Sequence, residues 1–111
     1  MYARVARFEG IDTSKIDEDV ASMKQQMDAG RSGQLPADAP EEARELMETV
    51  TRWVQLVDRD AGTAIGIAFS ASEEQIRRAD QVLNAMSPPD GAGRRSGPAE
   101  IYEVVIDESF G

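Results

Sequence analysis

Four side chains in strand-forming segments are the best candidates in this chain for binding a small ligand: Arg4, Trp53, Gln55 and Glu103. A guanidinium group stabilises an anion through charge-assisted hydrogen bonds, an indole offers an aromatic surface, and an amide donates and accepts hydrogen bonds. Alternation along the strands predicts that Arg4 and Glu103 share one sheet face and form a cross-strand ion pair. The structural alternatives are that this pair only satisfies two buried charges, and that Trp53 fills an interface.

The composition excludes several kinds of chemistry. The chain has no Cys and no His, so thiol catalysis, thiolate or imidazole metal sites and imidazole acid–base catalysis are excluded. We therefore predict no cofactor and no metal site. Asp58 and Asp60 lie in one short turn without a third ligand and are interpreted as a solvated turn. Residues 87–98 are rich in Gly and Pro and are predicted to form a loop or a lid.

The length of 111 residues, with 30% charged and 41% hydrophobic residues, predicts one globular domain spanning 1–111. Because the net charge of −9 repels polyanions, we predict no nucleic-acid partner. No apolar run approaches the ~20 residues of a membrane span, and the opening Met1–Val5 has no long apolar stretch. A cytoplasmic protein without a membrane partner is the resulting expectation.

Periodicity predicts an α+β fold. Alternating residues favour strands at 2–9, 51–57, 63–70 and 99–107, and apolar stripes favour helices at 12–30, 40–48 and 72–86. This order predicts a ferredoxin-like βαββαβ domain, with two helices on one face of a four-stranded antiparallel sheet in the spatial order 4-1-3-2.

The two faces of the predicted sheet differ in composition. We expect the uncharged set to face the helices: Ala3, Val5, Val54, Leu56, Ile65, Ile67, Phe69, Tyr102, Val104 and Ile106. The other face would then hold Tyr2, Arg4, Ala6, Phe8, Trp53, Gln55, Val57, Gly66, Ala68, Ile101, Glu103 and Val105. Because that second face is too apolar for water, we predict a homodimer in which two sheets pack together as a dimeric α/β barrel.

The segment Leu56–Arg59, followed by Gly62, Ile65-Gly66-Ile67 and Ser72-x-Glu74, resembles small proteins of the dimeric α/β-barrel superfamily. The closest resemblance is to antibiotic-biosynthesis-monooxygenase-like proteins, many of them uncharacterised and actinobacterial, and it extends to Met1–Val5 and Tyr102–Val104. The resemblance implies an oxygenase without metal or flavin that would use Tyr2, Arg4, Trp53 and Tyr102. Haem-degrading relatives use an Asn, Trp and His set, and the chain has no His.

Three functions follow as hypotheses. The first is a bacterial homodimer that binds a small aromatic or anionic ligand in a barrel cavity. The second is a cofactor-independent monooxygenase or isomerase that uses Arg4, Trp53 and Gln55. The third is a structural or regulatory interaction module without a cavity.

Overall fold

The computed structural model describes residues 1–31, 41–85 and 93–111. The chain forms β1 (Tyr2–Glu9), a 3-10 turn (Thr13–Lys15), α1 (Ile16–Arg31), α2 (Glu41–Thr49), β2 (Arg52–Asp58), β3 (Thr63–Ser70), α3 (Glu73–Ala85), β4 (Arg94–Arg95) and β5 (Glu100–Glu103). The predicted hairpin, the short second helix and the long third helix are thereby confirmed.

All strand pairs are antiparallel, and the sheet has the order β2-β3-β1, with both β4 and β5 paired to β1. The α+β class is confirmed, the arrangement is compatible with a ferredoxin-like fold, and the four long strands lie in the predicted order. The sheet has five strands rather than four, because Arg94–Arg95 pair with Phe8 and Glu9 inside the segment predicted to be a loop. Residues 87–92 of the predicted loop or lid lie outside the described residues.

The last strand is shorter than predicted. Tyr2 at the start of β1 lies opposite Glu103, and Val104 N still donates to Met1 O at 2.9 Å. Residues 104–111 belong to no strand or helix and form the tail of the chain. The tail leaves Val105, Ile106 and Phe110 strongly exposed.

The prediction of which sheet face meets the helices is wrong. α3 lies on β1 and β3, α2 packs on α3, and the buried sheet positions are mainly the small residues. They are Arg4, Ala6, Ala64, Gly66, Ala68 and Ser70, together with Ala3 from the other face. Small side chains let a helix approach closely, so Ile76, Ala79 and Val82 of α3 supply the bulk of this core. The larger residues therefore point away from the helices.

Local hydrogen bonds confirm the predicted caps and turn. Asp12 caps the 3-10 turn by accepting from Ser14 N, and Ser72 Oγ accepts from Gln75 N at the start of α3. Asp58 Oδ1 accepts from the backbone N–H groups of Asp60 and Ala61, which explains the acidic turn as an Asx-type turn. In the described ranges, no helix has the length and apolar character needed to cross a membrane.

Candidate functional site

A partly open surface lies on the helix side of β2. Because α3 covers β1 and β3, the neighbouring helix-side residues Gln55 and Val57 remain exposed. Their partners across the ladder on β3 are small. We call this surface the β2 shelf; it consists of Trp53, Gln55, Val57, Ala64, Gly66 and Ala68.

Trp53 and Gln55 both lie over Gly66. A Cβ atom added at Gly66 would be 3.5 Å from Trp53 Cζ2 and 3.3 Å from Gln55 Oε1, so the missing side chain leaves the space that these two groups occupy. Trp53 is half-buried, and its Nε1 atom is fully buried without an acceptor among the described residues. A buried N–H without a partner costs about 1–3 kcal/mol, so this donor favours a ligand that brings an acceptor.

Arg4 is fixed by α3 rather than by Glu103. Its side chain is 3% exposed, its Nε lies 2.7 Å from Asp80 Oδ1, and its Nη2 lies 2.9 Å from Asn84 Oδ1. The expected Arg4–Glu103 ion pair is therefore wrong. In the register, Arg4 lies opposite Ile101, whereas the exposed Glu103 lies opposite Tyr2 at the end of the sheet.

The structure brings only part of the predicted set together. Trp53 and Gln55 are neighbours on the β2 shelf, and Arg4 lies in the same row as Trp53 because both are opposite Ala68. Two strand spacings, roughly 10 Å, separate the backbones of Arg4 and Trp53. Glu103 lies one strand further away, on β5.

Arg95 is a helix-side cation that the sequence analysis did not single out. It lies opposite Phe8, on the same face of the sheet as Arg4. Burial lowers the pKa of Arg95 below its ordinary value, the positive charge of Arg4 lowers it further, and Asp80 acts in the opposite direction. Arg95 is thus a half-buried cation on the helix side of the sheet.

Asp80 and Asn84 were also not identified from the sequence. Their spacing in the sequence is the signal that could have identified them. The two residues are four positions apart, which places them on one side of α3, and Asp80 directly follows the buried Ala79. Two polar side chains at the border of an apolar stripe indicate a buried polar partner on the opposing sheet.

The chain matches no protein-family model and no curated protein.

Proposed function

We propose that the protein is a homodimer in which each copy binds a small aromatic ligand on its β2 shelf. The Nε1–H donor of Trp53, which has no acceptor among the described residues, is the observation that carries the ligand proposal. A ligand lying along the edge of the indole would accept from Nε1–H with a carbonyl, phenolate or carboxylate oxygen in the plane of the ring. The exposed Gln55 amide adds a second polar contact at the same surface.

The dimer proposal is supported by the opposite sheet face, which we call the open face. It carries Val5, Val54, Leu56, Ile65, Ile67, Phe69 and Tyr102, and no described helix covers it. Leu56 is 48% exposed and Tyr102 is 50% exposed. Contiguous apolar surfaces of this kind mark interfaces.

The charges on the open face are paired within one chain, which favours contact with an identical face. Arg7 Nε lies 3.8 Å from Glu100 Oε1, and Arg52 Nη1 lies 3.4 Å from Asp107 Oδ2. The Arg52 guanidinium also lies 5.3 Å from the centre of the Phe69 ring. A second copy would therefore meet a surface that is nearly neutral.

The open face supplies part of the area of a dimer interface. Strands β1, β2, β3 and β5 have 8, 7, 8 and 4 residues and cover roughly 430 Å², about half of the ~800 Å² that each partner buries in a standard interface. The apolar tail at 104–111 supplies additional surface, because Val105 is 81% and Ile106 is 79% exposed. We propose that two open faces and two tails form the interface of a dimeric barrel, through the sheet face opposite to the one that the sequence analysis assigned to the dimer.

Trp53 provides a direct test of ligand binding because it is the only tryptophan in the chain. A titration with 1,8-dihydroxyanthrone, a planar phenolic probe, is expected to change the Trp53 emission in a saturable manner. Gly66→Val should abolish saturation, because its side chain enters the space of Trp53 and Gln55. Gly97→Val is the matched control, since a side chain there meets nothing within 4 Å.

The outcomes separate the three sequence-based hypotheses. Saturation without oxygen consumption supports a binding protein, and saturation with oxygen consumption supports the oxygenase hypothesis. The ligand proposal is refuted if the titration never saturates with this probe and native mass spectrometry shows no co-purified small molecule. The structural or regulatory module would then be the remaining hypothesis.

A further inference from the structure

One face of α1 carries two methionines and ends at a glycine. Met23 and Met27 are four positions apart, so their side chains are neighbours on the same side of the helix. Both side chains are half-buried. Gly30 follows Met27 by three positions, which places it on the same side of α1 about one turn further along.

Met47 of α2 fills the space next to Gly30 that a side chain would otherwise occupy. A Cβ atom added at Gly30 would overlap Met47 Sδ and would lie 3.0 Å from Met47 Cγ and 3.4 Å from Met47 Cε. Positions three apart on a helix have Cβ atoms about 5–6 Å apart, so the Met47 sulfur lies within reach of the flexible Met27 side chain. We call Met23, Met27 and Met47 the thioether cluster.

The thioether cluster has the donor chemistry that a soft monovalent metal ion prefers. A thioether sulfur is neutral and polarizable, and soft sulfur ligands select Cu(I) over hard divalent ions. Such a site needs neither Cys nor His, both of which the chain lacks. Because a methionine side chain has three rotatable bonds, the sulfur atoms of Met23 and Met27 can turn towards an ion held by Met47.

The charge of the protein also favours a cation at α1. The chain has a net charge of −9, and α1 begins with three acidic residues in its first turn, Asp17, Glu18 and Asp19. This negative field attracts cations to the helix. Within 1–31, 41–85 and 93–111, no group of three or more His, Cys, Asp or Glu side chains could hold a metal ion. Harder ions therefore have no comparable set of ligands in those ranges.

We propose that the thioether cluster binds one Cu(I) ion between α1 and α2, with one sulfur lone pair donated by each methionine. The sequence-based expectation of no metal site considered thiolate and imidazole ligands, whereas thioethers remain available in this chain. The site uses no residue of the β2 shelf or of the open face. Its existence is therefore independent of the ligand and dimer proposals.

The test is a titration of the full chain with Ag(I), a redox-stable ion with the charge and softness of Cu(I), in chloride-free buffer. NMR of the methionine methyl groups is the readout. The signals of Met23, Met27 and Met47 are expected to shift along one saturable curve that ends at one ion per chain. The Met1 signal should stay unchanged. Cu(I) kept reduced with ascorbate should shift the same three signals, and Zn(II) should shift none of them.

Variants distinguish a built site from separate sulfur atoms. Met27→Leu and Met47→Leu keep the apolar volume and should each weaken Ag(I) binding at least about tenfold, whereas the control Met1→Leu should weaken it less than about twofold. Gly30→Ala keeps every sulfur atom but displaces Met47 from α1, and should weaken binding at least about fivefold.

Three results would each overturn the proposal. The first is a titration in which the methyl shifts do not saturate or include Met1. The second is an equal effect of Met1→Leu and Met47→Leu, or no effect of Gly30→Ala. The third is Zn(II) binding to the same methionines as tightly as Ag(I).

Discussion

Arg4 Nε on β1 and Asp80 Oδ1 on α3 are 2.7 Å apart, so an almost fully buried cation connects the sheet to the helix that covers it. The same guanidinium holds Asn84 one turn further along α3. Arg4 thereby sets the position of α3 on β1. Its charge is compensated inside the protein, which suits a positioning residue better than a group that stabilises a substrate anion.

We predict that Arg4→Met lowers the free energy of unfolding by about 3 kcal/mol, because it leaves Asp80 and Asn84 without their donor. The control is Arg77→Met, which removes an exposed i,i+4 pair with Glu73 and should cost less than about 0.5 kcal/mol. Urea denaturation measures both values. Equal losses for the two variants would refute the structural role of Arg4.

The dimer proposal predicts that substitutions at two adjacent residues have opposite effects on the oligomeric state. Leu56 lies on the open face and Val57 lies on the helix side, and both are exposed. Leu56→Lys is expected to shift micromolar protein from dimer to monomer in sedimentation velocity, because it places an unpaired charge in the interface. Val57→Lys should leave the dimer intact. A wild-type protein that sediments as a monomer would contradict the proposal directly.

Among the described glycines, Gly93 is predicted to tolerate substitution least. Its φ of +74° is in the left-handed region, and an added Cβ would overlap the carbonyl oxygen of Glu9. We expect Gly93→Ala to destabilise the fold by at least about 1–2 kcal/mol. Gly97→Ala meets open space and should change stability little. Thermal denaturation of both variants provides the comparison. Similar melting temperatures would contradict the close approach of Gly93 to the backbone of Glu9.

The lowered pKa of Asp12 predicts how the stability of the fold depends on pH. The hydrogen bond from Ser14 Oγ, at 2.5 Å, and then the bond from Ser14 N lower the pKa of Asp12 below 3.8. Because folding lowers this pKa, the resulting stabilisation is fully present above pH 3.8 and is lost as the pH falls through the lowered value. Carboxyl-detected NMR of Ser14→Ala should show the pKa of Asp12 rising towards 3.8, whereas Ser22→Ala should leave it unchanged.

The order of elements was predictable because it depends on local signals. The alternation of Thr63–Ser70, the cap at Ser72 and the apolar stripe of α3 each act within one or two turns of chain. The fifth strand was not predictable from such signals. Two arginines have no strand pattern of their own, and Arg94–Arg95 pair with β1 because the returning chain passes its edge.

The candidate site was predicted only in part. Trp53 and Gln55 share a face because side chains alternate along a strand, and the sequence alone established that. It did not indicate which face the helices would cover. Hydrophobicity favoured the face with Ile65 and Ile67, but the close approach of α3 requires the small residues of the opposite face.

The sequence by itself determined the class of fold, the strand pairing of the hairpin and the absence of thiol and imidazole chemistry, since these depend on residue type and short-range spacing. Only the tertiary structure decided the partner of Arg4 and which sheet face the helices cover. Both depend on where α3 lies over β1, and that placement results from packing between segments more than seventy residues apart.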